Sequence, residues 1–152
     1  MLDGAARVKD LFAEAARMEM PALAITDLGN LFGLVKFYKA ARAWGIKPVI
    51  GVETYIARRA MTDKEGKADA QPYHLILLAS DLTGYRNLCR LITDAHIDGY
   101  YYKPRIDKEQ LAKFSEGIIC LSGCMTGEIN QFILADQPDQ ARESVQEFIN
   151  IY

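Results

Sequence analysis

Several kinds of residue and segment are scarce in or missing from the sequence. It contains only two histidines, His74 and His96, and its three cysteines have no disulfide-like spacing. An odd cysteine count of this kind is typical of the reducing cytoplasm, so we predict a cytoplasmic protein. No apolar run approaches the roughly 18 residues of a membrane span, and the first ten residues lack an apolar signal core. The sequence therefore predicts neither membrane insertion nor secretion.

Several local catalytic signatures are also absent. The sequence has no Walker A loop, no G-x-G-x-x-G and no G-x-S-x-G, and neither C-x-x-C nor H-E-x-x-H occurs. The net charge of -2 excludes a general electrostatic attraction to nucleic acid. Any contact with DNA would have to come from a local patch or from another domain.

The stretch from Met20 to Glu53 has the pattern strand, turn, helix, strand. Leu31 to Trp44 carries apolar residues at helical spacing, and Gly45 stands where a helix would end. The pattern predicts a βαβ unit with parallel strands, covered on both faces. We expect five strand residues to be buried, namely Leu23, Ile25, Val49, Ile50 and Val52.

The rest of the sequence continues the alternation and predicts an α/β domain. Apolar patterns predict helices over 5–19, 82–95, 107–114, 126–134 and 138–152, and strands over 73–79 and 118–121. The polar stretch 58–72 has no periodicity and is interpreted as a mobile surface loop. The tyrosines of GYYYKPR could stack on nucleic-acid bases or cover the rim of the core, and we favour packing.

Residues that could ligate a metal stand at the ends of several predicted elements. Asp27 and Glu53 end strands, His96 follows a helix, and Cys124 lies in the turn after a strand. Such a mixed set at one edge of a parallel sheet would suit Zn²⁺ or Mn²⁺, although no pair has a spacing that fixes it locally. His74, near the start of a strand, is interpreted as structural.

Five blocks of sequence, taken in order, carry a family resemblance. They are LDGAARVKDL, MPALAITDLGNLFGLVKFYKAARAWGIKPVIGVETYIA, YHLILLASDLTGYRNLCRLI, GYYYKPRIDKEQL and GIICLSGCMTGEI. Together they resemble the PHP (polymerase and histidinol phosphatase) domain at the N-terminus of the bacterial DNA polymerase III alpha subunit. The resemblance implies a distorted (βα)₇ barrel that gathers metal ions at one mouth. It also implies that residues 1–152 are a domain segment without the family's first strand, which carries H-x-H, and without its C-terminal strands.

The resemblance implies a set of metal ligands. Position by position it assigns Asp3, Glu53, His96 and Cys124, although Asp3 could equally be a helix N-cap. Leu28 departs from the family pattern, because members with a full metal set have T-D-H-G-N where this sequence has T-D-L-G-N. We therefore expect the ligands to converge in space and to bind metal weakly or not at all.

The function that the resemblance implies is membership of a replicative DNA-directed DNA polymerase. The polymerase site with its Mg²⁺ would lie outside this sequence. The implied partners are the rest of the polymerase chain, DNA through that chain, a proofreading exonuclease and a sliding clamp. Two alternatives are kept: a free-standing PHP-family metal-dependent phosphoesterase, and a structural or interaction module without chemistry.

Overall fold

A computed structural model describes residues 6–152, an alternation of helices and strands. The elements are, in chain order, α1 (Val8–Arg17), β1 (Ala22–Leu28), α2 (Leu34–Trp44), β2 (Lys47–Ile56), α3 (Gly66–Ala70), β3 (Tyr73–Ala79), α4 (Leu82–Ile97), β4 (Tyr100–Tyr101), β5 (Lys103–Ile106), α5 (Lys108–Lys113), β6 (Ile118–Leu121), α6 (Glu128–Leu134) and α7 (Pro138–Ile151). The predicted α/β class is confirmed, and the sheet is open in the part of the chain described. None of the described helices is long and apolar enough to cross a membrane.

The sheet is organised around β2, which is its longest strand. β1 pairs with β2 in parallel from Ala22↔Lys47 to Leu28↔Glu53, as predicted for the βαβ unit. β3 pairs with the other edge of β2. β5 pairs with the same edge as β1 but further along β2, at Tyr55. β6 then pairs with β3, and β4 and β5 form a small hairpin.

The direction of β3 differs from the all-parallel sheet that the sequence predicted. β3 is antiparallel to both β2 and β6, whereas β1, β2, β5 and β6 all run the same way. The physical reason lies in the connection from β2 to β3, which contains only the five-residue helix α3. A parallel pair is usually joined by a crossover helix that covers the sheet, and this connection supplies no such helix.

The helices pack on one face of the sheet. α1 and α2 enclose a small core around Phe12 and Phe37, whose ring centroids lie 4.9 Å apart. α4 crosses the rest of the sheet and encloses a larger core that includes Val52, Leu77 and Leu88. A sheet covered on one face buries alternate residues of each strand, because successive side chains point to opposite faces.

The structure corrects the burial predicted for the five strand residues of the opening βαβ unit. Only Val52 is buried, with no exposed surface, whereas Leu23, Ile25, Val49 and Ile50 are half-buried. Val49 points to the uncovered face, and the other three lie toward the edge of the smaller core. The prediction failed at Val49 because it assumed helices on both faces, and at the other three because the smaller core only partly covers them.

The polar stretch 58–72 is held in place rather than free. Arg105 is completely buried beneath it and donates hydrogen bonds to the backbone carbonyls of Gly99, Asp69, Met61 and Asp63, at 2.9–3.1 Å. Since an arginine offers five donors in a rigid fork, one side chain can fix several turns of a loop. The interpretation of this stretch as a mobile loop is wrong for that reason.

Candidate metal centre

A row of four residues in register crosses the uncovered face of the sheet. The pairings Leu28↔Glu53, Glu53↔Ile76 and Ile76↔Leu121 place one residue from each of β1, β2, β3 and β6 side by side. Register partners point to the same face, so Glu53 projects away from the helices with apolar neighbours on both sides. Leu28 and Leu121 keep 44% and 45% of their surface exposed, which marks this face as accessible.

His74 reaches Glu53 because β3 runs antiparallel to β2. It lies two residues before Ile76 and so points to the same face, diagonally across from Glu53. Its Nδ1 lies 2.6 Å from Glu53 Oε1, and its ring stands edge-on to the Tyr55 ring with centroids 5.0 Å apart. Burial, and to a smaller extent the Glu53 carboxylate, raises the pKa of the Tyr55 hydroxyl. Tyr55 therefore stays neutral beside the pair.

Cys124 completes the group from the turn that follows β6. One carboxylate oxygen of Glu53, one ring nitrogen of His74 and the Sγ of Cys124 all lie within 4.8 Å of one another. The turn approaches β3 so closely that a Cβ on Gly123 would stand 2.8 Å from the carbonyl oxygen of His74. Gly123 has φ +80°, a conformation that glycine adopts without strain. Two of the predicted ligands, Glu53 and Cys124, are thus brought together with a third residue that was not predicted.

His96 lies outside this group. Its Nε2 is 2.9 Å from the carbonyl oxygen of Gly29, and the backbone nitrogen of Gly29 in turn donates to the carbonyl of Glu53 at 2.7 Å. Since a carbonyl oxygen can only accept, Nε2 carries the proton in this arrangement, and only Nδ1 retains a free lone pair. His96 is therefore near the same end of the sheet, with its Nε2 committed to the backbone.

The remaining candidates have different positions. Asp3 lies outside the described residues. Asp27 is the neighbour of Leu28 on β1 and so points to the opposite face, where its Oδ2 accepts from the backbone nitrogen of Gly33 at 2.7 Å. Asp27 therefore supports the start of α2 and does not join Glu53.

The three converging side chains suit a transition-metal ion chemically. A carboxylate oxygen, an imidazole nitrogen and a thiolate sulfur are the ligand types that zinc accepts in proteins. Sulfur disfavours Mg²⁺ and Ca²⁺, which prefer oxygen, and makes Mn²⁺ a poorer match than Zn²⁺. Three protein ligands would leave a coordination position open, which is the arrangement of catalytic rather than structural zinc sites.

Sequence reasoning interpreted His74 as structural because it stands near the start of a buried strand, and it did not consider the direction of that strand. In an all-parallel sheet, the start of β3 would lie at the edge opposite the end of β2, far from Glu53. The sequence did contain a signal for the other arrangement: the stretch 58–72 has no helical periodicity long enough to cover a parallel crossover. Reading that connection as antiparallel would have placed His74 beside Glu53.

The fold and this group together define an α/β domain with a candidate metal centre at one end of an open sheet. Comparison with protein families gives the particular assignment: residues 1–152 match the PHP domain model. The chain belongs to the PHP domain family, as the sequence blocks had indicated.

Three relatives that match the whole length of this chain are alpha subunits of DNA polymerase III from different organisms. The chain is 50% identical over 156 residues to the DNA polymerase III subunit alpha of Thermus aquaticus, covering 100% of this chain and 13% of that protein. It is 44% identical over 153 residues to the subunit of Borreliella burgdorferi, again with 100% and 13% coverage. The Aquifex aeolicus subunit is 40% identical over 158 residues, with 100% and 14% coverage. The chain thus spans a small part of the length of these relatives.

A solved structure shares a weaker likeness. It is described as a metal-dependent phosphoesterase from Bifidobacterium adolescentis, with 10% identity, a TM-score of 0.49, and coverage of 98% of this chain and 80% of that one. A likeness at this level adds nothing to the assignment.

Proposed function

We propose that the chain acts as the PHP portion of a DNA polymerase III alpha subunit and that it binds one zinc ion through Glu53, His74 and Cys124. The observation that carries the proposal is the convergence of these three donors from two strands and from the turn after a third. They are distant in sequence, so only the fold brings them within 4.8 Å. The identity of 40–50% to polymerase alpha subunits supports the wider assignment.

The residues of this chain would hold the metal in an open site on the sheet. Glu53 would supply an oxygen, His74 a ring nitrogen and Cys124 a thiolate. Bound zinc would supply Lewis acidity and lower the pKa of a coordinated water. His96, through Nδ1, and Asp3 remain candidates for additional ligands. The exposed face around Leu28 and Leu121 gives ligands of the metal a route from solvent.

Zinc binding is expected to be weaker than at a structural zinc site. Four-ligand sites contribute roughly 10–16 kcal/mol of apparent binding free energy at pH 7, and this group offers three described protein ligands. Leu28, the register partner of Glu53, occupies a neighbouring position with a side chain that cannot ligate. The proposed site is therefore a weakened PHP metal centre.

The partners proposed for the chain follow from its relatives. As part of a polymerase alpha subunit it would contact the rest of that chain and meet DNA through it. A proofreading exonuclease and a sliding clamp are proposed as further partners, Mg²⁺ as the ion of a polymerase site outside these residues, and the cytoplasm as the location. None of these needs the chain itself to carry polymerase chemistry.

A zinc titration of the 152-residue chain tests the proposed site. We expect one zinc ion per chain by calorimetry, and we expect Cys124→Ala to remove most of the binding. Cys89→Ala is the matched control, since Cys89 is another free cysteine that belongs to α4 and not to the group. Absence of zinc binding by the unmodified chain would reject the site and favour a PHP module without metal.

A further inference from the structure

The turn that presents Cys124 is fastened to the first residues of β3. We call residues 122–127 the Cys124 turn. The backbone nitrogen of His74 donates to the carbonyl of Thr126 at 3.2 Å, and the backbone nitrogen of Gly127 donates to the carbonyl of Cys124 at 2.8 Å. Asn130 of α6 also holds the turn, because its Nδ2 donates to the Cys124 carbonyl at 2.8 Å. The backbone around Cys124 is therefore fixed before its side chain is considered.

Thr126 is the residue of this turn that contacts two members of the group. Its Oγ1 lies 3.0 Å from Cys124 Sγ, while its carbonyl accepts from the His74 backbone. A thiolate has no proton to give, so in the metal-binding form of Cys124 the threonine hydroxyl must be the donor. A hydrogen bond to a charged acceptor of this kind is stronger than one between neutral groups.

We propose that Thr126 is a positioning residue for the metal centre, one that orients the sulfur of Cys124 through its hydroxyl. This inference rests on the proposed zinc site. Cys124 is exposed, so neighbouring side chains do not by themselves select its rotamer. The hydroxyl holds Sγ on the side of the turn that faces β3 and stabilises the thiolate charge. Supporting hydrogen bonds of this type to metal ligands govern affinity in other metal sites, where their loss costs 10–100-fold.

The side chain and the backbone of Thr126 make separable contributions. Thr126→Val removes the hydroxyl and keeps the shape and the carbonyl that binds His74, whereas Thr126→Ser keeps the hydroxyl. Asn130→Ala removes a different support of the same turn, one that touches the Cys124 carbonyl and not the sulfur. These three variants distinguish orientation of the sulfur from general stiffness of the turn.

The experiment measures zinc affinity and the absorption of the Co²⁺-loaded 152-residue chain, whose sulfur-to-cobalt charge-transfer band reports on the thiolate. We expect Thr126→Val to weaken zinc binding by about 10–100-fold and to shift or weaken the band. We expect Thr126→Ser to restore both, and Asn130→Ala to leave the energy of the band unchanged. If Thr126→Val lowers the melting temperature, Thr126→Ala provides the same comparison without the β-branched side chain.

Two negative outcomes have different meanings. If the unmodified chain binds zinc and Thr126→Val matches it in both affinity and band, Thr126 does not position the sulfur, and the zinc site stands. An effect of Asn130→Ala on the band equal to that of Thr126→Val would also overturn the inference, because it would assign the role to the turn as a whole. Failure of the unmodified chain to bind either ion removes the site itself.

Discussion

At the scale of single residues, position 28 is the point where the site departs from its family. Leu28 ends β1 directly beside Glu53, on the face that carries His74. A leucine there offers no lone pair and leaves 44% of its surface exposed. In the proposed site, a leucine at this accessible sheet position would lower metal affinity without disturbing the core.

Leu28→His tests that explanation directly. A histidine at this position would add a nitrogen next to the carboxylate of Glu53, and we expect zinc affinity to rise by at least about tenfold, comparable to the smallest effects of supporting residues. Calorimetric titration measures the change, with Leu121→His, at the other end of the same row, as the control. Equal gains from both histidines would show that position 28 has no special relation to the site.

Arg105 is the residue on which the stretch 58–72 depends. Its guanidinium has no exposed surface and donates to four backbone carbonyls. Burial lowers the pKa of this guanidinium from its usual value, and nearby Asp69 and Asp63 oppose the effect. Nothing in the surrounding block, which is rich in tyrosine, indicates that this arginine lies inside the molecule.

Arg105→Met should unfold the domain more easily and release the stretch it holds. We expect a loss of roughly 3–5 kcal/mol in the free energy of unfolding, because buried polar partners are left unsatisfied. Urea denaturation measures the loss, and thermolysin cleavage within 58–72 measures the release. Arg86→Met on the exposed side of α4 is the matched control, and a similar small effect from both would contradict the role given to Arg105.

At the scale of elements, the strands and helices were largely predictable and the direction of β3 was not. Gly45 ends α2 at φ +68°, as the sequence predicted, and Asp81 caps α4 through the backbone nitrogen of Gly84. Local hydrogen bonds of this kind are encoded within a few residues. Strand direction depends instead on how a connection of 16 residues, from Ala57 to Pro72, returns to the sheet. The predicted burial of the opening βαβ unit failed for a related reason, because the packing of helices on a sheet is a tertiary feature.

Unequal burial on the covered face of the sheet predicts unequal costs for two core truncations. Leu77→Ala in β3 should cost roughly 2–5 kcal/mol, because Leu77 is fully buried under the helices. Ile50→Ala in β2 should cost less than about 2 kcal/mol, since Ile50 is only half-buried. Denaturant melts compare the two. An Ile50→Ala loss as large as that of Leu77→Ala would show that Ile50 is packed as fully against the smaller core as Leu77 is against the larger one.

At the scale of the whole molecule, the chain is one PHP unit that matches a small part of much longer relatives. The open sheet exposes the candidate metal centre along with apolar residues such as Leu121 and Ile119, which is 51% exposed. Family membership was predictable because it rests on blocks of sequence. The composition of the site was only partly predictable: the sequence predicted Glu53 and Cys124, whereas the place of His74 depends on the reversed direction of β3.

The chain alone should not copy DNA. Its described strands form one sheet with the helices packed on one face. All of these elements lie within the PHP match over residues 1–152. We expect no template-dependent extension of a primer by the purified chain with Mg²⁺ and deoxynucleoside triphosphates. A full alpha subunit from a relative serves as the positive control. Extension by the chain would place polymerase chemistry within these residues and refute the proposal that the polymerase site lies outside them.

A comparison of two histidine variants shows whether His74, together with the predicted Glu53 and Cys124, builds the metal centre. Zinc titrations of His74→Ala and His96→Ala would be made on chains whose circular dichroism and melting temperature match the unmodified chain. We predict that His74→Ala abolishes measurable binding, because His74 lies with Glu53 and Cys124, while His96→Ala retains binding. Retained zinc binding in His74→Ala, together with loss of binding in His96→Ala, would show that His96 and not His74 ligates the metal.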